Sequence, residues 1–198
     1  GSLDDFDALI TRAKQSDIKI IIDQVLSHTS DQHAWFEESR QNKTNPKADW
    51  YVWADPKPDG TAPNNWMSIF GGTAWQWEPR RGQYFLHNFL SSQPDLNFHN
   101  EDVQKAVLDN VEFWLKRGVG GFRLDAINFC FHDKELRDNP AKPKELRAGR
   151  GFSEDNPYAY QYHYFNNTQP ENLEFMEQLR QLFDQYDEVV SLGEISSE

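Results

Sequence analysis

Three times along this 198-residue chain, apolar residues at helical spacing give way to an unbroken strand-like run, and no other feature restricts the fold as much. Leu3, Phe6, Leu9, Ile10 and Ala13 recur at helical spacing, and Ile18 to Val25 then reads as a strand buried on both faces. Val103, Val107, Val111 and Trp114 mark a second helix, and Gly118-Val-Gly leads into a strand over Gly121 to Ala126. Pro170 suits a first helical turn, Leu173, Met176, Leu179, Leu182 and Phe183 make the third stripe, and Glu188 to Gly193 supplies the third strand. Regular alternation of this kind implies an α/β fold whose parallel strands are joined by helical crossovers.

Two long stretches interrupt the units. Residues 29–98 hold every Trp except Trp114, with turn signals at Pro58-Asp-Gly60 and Gly71-Gly72, as an inserted small domain would. Residues 130–169 are polar and aromatic, and Pro140, Pro143 and Pro157 break any long helix there. Both stretches follow the C-terminal end of a strand, where parallel α/β folds place their sites.

Seven Trp, seven Tyr and fourteen Phe within 37% hydrophobic content favour a globular core over disorder. A net charge of −12 disfavours nucleic acid and anionic membrane as partners, since both require a concentrated positive surface, whereas a neutral small molecule does not. The one cysteine, Cys130, excludes an internal disulfide, is expected to be buried, and agrees with a reducing, cytoplasmic setting. The start Gly1-Ser2-Leu3 shows neither a basic-then-apolar leader nor a long apolar run. Ser2 followed by Asp5 reads either as a helix N-cap with its acidic partner or as part of an artificial terminus.

Chemistry gathers at the strand ends. In Gly121-Phe-Arg-Leu-Asp125 alternate side chains share a face, so Arg123 sits beside Asp125 and favours the charged carboxylate that a nucleophile requires. Glu194 ends the next strand, and strands about 4.8 Å apart can bring two carboxyls to the roughly 5 to 5.5 Å used by retaining glycosidases. With no cation beside it in sequence, Glu194 is expected to suit a general acid. Taken singly, the Arg-x-Asp pair reads as a structural ion pair, Glu194 as a solvated end and His28 as a core histidine. Their joint order on successive βα units is what points to a site.

With these strings in place, the chain resembles the α-amylase superfamily, glycoside hydrolase family 13, and within it the oligo-1,6-glucosidase and α-glucosidase group. Asp23-Gln-Val-Leu-Ser-His28, Gly121-Phe-Arg-Leu-Asp125, Leu192-Gly-Glu194, Gln93-Pro-Asp-Leu-Asn97, Asn65-Trp66 and Phe70-Gly-Gly72 carry the resemblance. It implies strands three to five of a TIM (β/α)8 barrel over residues 1–28 and 99–198, with a small domain B inserted at 29–98. It also implies Asp125 as nucleophile, Glu194 as general acid/base and Arg123 as support for the nucleophile. His28 becomes a sugar ligand, Phe70 and Phe89 apolar walls, Ala126 a neighbour of the acceptor, and Asp23 structural. The implied activity is retaining hydrolysis of short α-glucosides, with transglucosylation, no cofactor and an oligosaccharide as the small-molecule partner.

Ser27 stands where the family usually carries a calcium-serving Asn, so no metal site is expected there. Ala126 replaces the Val of α-1,6-specific members, which favours α-1,4 or relaxed linkage. Other readings within the family are an oligo-1,6-glucosidase, a sucrose isomerase, an amylosucrase-like transferase or a trehalose-phosphate hydrolase. For the last of these, Lys142, Lys144, Arg147 and Arg150 are the candidate phosphate cations. A member without catalysis, acting as a binding module, is the non-enzyme alternative. The resemblance further implies an internal piece of a longer enzyme whose third catalytic Asp, remaining barrel strands and C-terminal β-domain lie elsewhere, and which is inactive by itself.

Overall fold

A computed structural model describes residues 1–147, 153 and 155–195. Helix α1 (Leu3–Gln15) leads to strand β1 (Ile21–Val25), followed by helix α2 (Ala34–Ser39) and strands β2 (Trp53–Ala54), β3 (Trp75–Glu78) and β4 (Gln83–Leu86). Helix α3 (Glu101–Lys116) then leads to β5 (Gly121–Asp125), and α4 (Glu171–Phe183) to β6 (Val190–Gly193). Each long helix starts for a local reason. Ser2 and Asp5 form a reciprocal capping box on α1, and the Asn100 side chain accepts from the Asp102 N–H at the start of α3. Pro170, with helical backbone angles, stands immediately before α4.

Strands β1, β5 and β6 form a parallel sheet in the order β1-β5-β6, so two of the three are edges. One face is covered by the helices. Phe122 and Leu124 are buried there among Val103, Val107, Val111 and Leu115 of α3 and Phe175, Leu179 and Phe183 of α4. Phe122 stacks on Phe183 at 5.6 Å, and Phe6 of α1 meets Trp114 edge-on at 5.1 Å. The apolar stripes expected from sequence shift slightly. Leu115 is buried more deeply than Trp114, while Leu173, Leu3 and Leu9 face outward because the helices present only a narrow arc to the sheet.

The other face is open, and here the expected strand boundaries and burial need correction. β1 starts at Ile21 rather than Ile18, and Ile21 and Val25 remain exposed along with Val190 and Leu192 of β6, because among the described residues no element covers them. Strand β6 starts at Val190, since Glu188 adopts a left-handed backbone that precludes pairing.

Strands β2, β4 and β3 make a separate antiparallel sheet in that order. Trp66 and Trp75 are buried under it, stacked at 5.9 Å, while Phe36, Tyr51 and Phe85 join the same core as Leu26 and Phe98. The Trp residues here are therefore mostly core, with Trp77 the half-exposed exception. No helix among the described residues is long and apolar enough to cross a membrane.

Gly121 determines how closely β5 approaches β6. A side chain there would press on the backbone of Val190, and a backbone carbonyl cannot swing aside as a side chain can. Replacing Gly121 with Ala is expected to cost about 1–3 kcal/mol of stability, read as a lower urea midpoint with an unchanged slope.

Candidate active site

Strand periodicity puts Arg123 and Asp125 on the open face, and the register supplies their neighbours. Asp23 of β1 lies opposite Arg123, Val25 opposite Asp125, and Leu192 of β6 opposite Arg123. The β6 ladder continues one step past the strand, because the Glu194 N–H donates to the Leu124 carbonyl at 2.9 Å and the Ile127 N–H to the Glu194 carbonyl at 3.1 Å. Glu194 thus stands beside Asp125 on the adjacent strand. In a parallel sheet such neighbours share a face about 4.8 Å apart.

One guanidinium binds all three acids. Arg123 Nη1 donates to both Asp23 oxygens at 2.8 and 2.9 Å and to Asp125 Oδ1 at 2.5 Å, while Nη2 pairs with Glu194. The Asp23 bond, followed by the Asp125 contact, holds Arg123 above its ordinary range. Asp125 is the more sheltered of the proposed pair, and Glu194 is half-exposed. The isolated setting expected for Glu194 needs correction, because Arg123 reaches it across the sheet. Sequence adjacency does not reveal a neighbour 71 positions away in the chain.

Ala126, next after Asp125, is buried and takes a left-handed backbone at φ 42° and ψ 44°. That costs a non-glycine residue about 1–2 kcal/mol and turns the chain into a tight 3-10 turn at Ile127–Phe129, from which Ile127 reaches Glu194. What Ala126 visibly contributes is this turn.

His28 follows β1 and is zipped to residues 93–96. The Leu96 N–H donates to the Ser27 carbonyl at 2.9 Å and the Thr29 N–H to the Pro94 carbonyl at 3.3 Å. Gln93 Oε1 accepts from the Leu90 N–H, which aims its Nε2 donor at His28 Nε2, 3.0 Å away. His28 Nε2 is therefore the acceptor, and the ring proton lies on Nδ1, 3.0 Å from Ser27 Oγ. Burial lowers the imidazole to about 4, against the opposing pull of the Asp125 charge, so the ring is neutral near pH 7.

Phe89 lies 5.1 Å from His28 and 5.1 Å from Phe129, with Phe70 beyond it at 6.3 Å and largely exposed. These rings form one aromatic flank. Val25, His28, Ser30, Leu90 and Gln93 border an open depression of about 470 Å³ beside them. The sequence pattern does not mark Gln93 or Phe129 as site residues, since Gln93 is one position of the Gln93-Pro-Asp-Leu-Asn97 string and Phe129 carries no periodic signal.

Beneath the site, Asp95 is wholly buried. Its Oδ2 accepts from the Asn88 N–H at 3.1 Å and from Asn88 Nδ2 at 2.5 Å, while Oδ1 has no partner among the described residues. Burial pushes this carboxyl up to about 8, outweighing the Asn88 bonds. Cys130 is buried as expected, and burial raises its thiol above the ordinary range as well. Of the basic cluster, Lys142 is buried over the Tyr162 ring, and Arg147 donates to the Lys142 carbonyl and lies over Tyr160. Arg150 lies outside the described residues.

Comparison with known proteins finds relatives of this chain among sugar enzymes. The profile of the alpha amylase catalytic domain matches residues 1–198. A probable alpha-glucosidase of Rhizobium meliloti is 59% identical over 195 residues, covering 98% of this chain and 35% of its own length. Among solved structures, the alpha-glucosyl transfer enzyme XgtA is 74% identical with a TM-score of 0.97, covering 100% of this chain and 37% of its own. A Bacillus licheniformis trehalose-6-phosphate hydrolase is 36% identical with a TM-score of 0.85, matched over 100% of this chain and 32% of its own. The chain spans about a third of the length of the curated relatives it matches.

Asp95 gives the site a pH signature. Folded, the carboxyl keeps its proton up to about pH 8, whereas unfolded it releases it near its ordinary 3.8. Its contribution is complete below the lower value and is lost as pH rises through the upper one. Asp95→Asn should remove this loss, so the stability difference between variant and wild type should grow in favour of the variant from about pH 4 to about pH 8. Thermal melts across that range check it.

Proposed function

Because the chain belongs to the alpha-amylase catalytic-domain family and its parallel strands are part of a (β/α)8 barrel, we propose that the protein carrying it is a retaining α-glucosidase. Its substrates are short α-glucosides, with α-1,4 or relaxed linkage, and glucosyl transfer to acceptors other than water accompanies hydrolysis. Residues 29–98 act as the inserted domain B beside the barrel. The observation that carries the reading is the register that sets Asp125 and Glu194 side by side on adjacent strands around Arg123.

An Asp125 oxygen attacks the anomeric carbon as the glycosidic C–O bond breaks, and Glu194 gives its proton to the departing oxygen. Water, deprotonated by Glu194, then attacks the same carbon and frees Asp125, so two inversions give net retention. For the first step Glu194 must part from Arg123 and take up a proton, leaving the guanidinium to Asp125 and Asp23. His28, Phe70 and Phe89 border the glucosyl unit, whose C–H faces suit aromatic rings. The names of the Rhizobium relative and of the transfer enzyme support hydrolysis and transfer respectively. A phosphosugar substrate is less well served, since Lys142 and Arg147 are committed to tyrosine rings and backbone.

In the full-length enzyme, Asp125→Asn should lower kcat by about three orders of magnitude while substrate binding persists. Near-normal turnover would remove Asp125 as nucleophile. Proton NMR of the first turnovers should show α-glucose appearing before mutarotation. The β-anomer as first product would exclude double displacement.

A further inference from the structure

Phe70 is the most exposed ring of the aromatic flank, and it sits at the tip of a hairpin rather than on a strand. Met67 and Thr73 pair across the hairpin base, the Gly71 N–H donates to the Ser68 carbonyl at 2.9 Å, and Gly71 and Gly72 both have positive φ. Such a tip would wander unless its backbone were tied. Two ties come from its own side of the site. Ser68 Oγ donates to the Phe89 carbonyl at 2.5 Å, and the Ile69 N–H donates to the Asn88 carbonyl at 2.9 Å. The third comes from the other long connection, where Asn156 Nδ2 donates to the Ile69 carbonyl at 2.8 Å.

Asn156 is well placed to hold that carbonyl because its other amide atom is already fixed. Its Oδ1 accepts from the Tyr158 N–H at 3.0 Å and caps the 3-10 turn Pro157–Tyr160. That bond orients the amide and leaves Nδ2 aimed at Ile69. The turn is itself anchored, since Tyr158 is buried and stacks on His163 at 3.6 Å. A carbon added at Gly71 would lie 3.7 Å from Asn156 Oδ1 and 3.8 Å from Pro157, so the hairpin tip leaves room for little more than a methyl group between it and this segment.

We infer that Asn156 is a positioning residue for substrate selection, which holds the Phe70 hairpin at the mouth of the site through the Ile69 carbonyl. The inference depends on the reading that Phe70 borders the bound glucoside. The two amide atoms can be separated chemically. Asn156→Asp keeps an oxygen to cap Tyr158 but has no donor for Ile69, and Asn156→Ser keeps the cap on a shorter side chain whose hydroxyl sits one bond further back from that carbonyl.

In the full-length enzyme, both variants should raise KM for a disaccharide α-glucoside roughly three- to tenfold, with kcat within about twofold and the melting temperature unchanged. Phe70→Ala should raise KM at least as much, and adding Asn156→Asp to it should raise KM no further, because the two changes act through one ring. Additive effects in the double variant, or a normal KM in both Asn156 variants while Phe70→Ala is impaired, would overturn the role of Asn156. A normal KM in Phe70→Ala would instead remove the premise that this ring borders the sugar.

Discussion

The charge balance around Arg123 is the constraint on which the site depends. Three carboxylates from three parallel strands converge on one guanidinium, so two negative charges remain uncompensated when all are ionised. Packed like charges on an open face would repel and splay the strands, and the planar fork of Arg123 binds several of them at once where a lysine ammonium would act as a single point. In the proposed mechanism the residual negative field would favour positive charge developing above the sheet, as in an oxocarbenium-like transition state, with Asp125 on the central strand. Because the acids reach the same cation from different strands, the β1-β5-β6 register fixes their spacing more strictly than rotamer choice would.

Those parts of the site governed by strand period were legible in the sequence. Alternation placed Arg123 beside Asp125 on one face, the βα repetition made the strands parallel, and Glu194 was correctly seen at the end of the next strand. What depended on lateral neighbours was not legible. The pairing of Arg123 with Glu194, and the Gln93 amide that sets the His28 tautomer, join residues 71 and 65 positions apart by single contacts that leave no periodic trace. Burial of β1 was misjudged for a related reason. Hydrophobic runs record which residues tolerate being covered, whereas the cover itself must come from elements that this stretch does not specify.

The two long connections differ in chemistry from the sheet they surmount. The sheet face is ionic, whereas the two connections are tied to each other mostly by neutral amides. Asn65 and Asn139 exchange bonds at 2.8 and 2.9 Å, Gln161 bonds Met67 and Asn65 backbone, and Asn166 links Asn88 with Asn139. Asparagine carries a donor and an acceptor on one short rigid group, so it can satisfy irregular backbone from both sides without introducing a buried charge. Ionic stitching in the same buried positions would incur the desolvation cost of each charge, and the loss of one partner would strand the other.

Asp95 is the instructive exception within this neutral layer. It occupies a place where Asn88 offers two donors, yet its second oxygen finds no partner among the described residues, and burial keeps it protonated over most of the physiological range. A neutral carboxylic acid behaves there much as the surrounding amides do, with one accepting oxygen and one hydroxyl. The division of labour is therefore electrostatic as well as geometric. The three acids and Arg123 lie on the open sheet face, whereas the Asn and Gln side chains that join the two connections around Asp95 carry no charge. The cation that reaches Asp125 and Glu194 is Arg123, itself held by Asp23, and none of the joining amides bonds to either acid among the described residues.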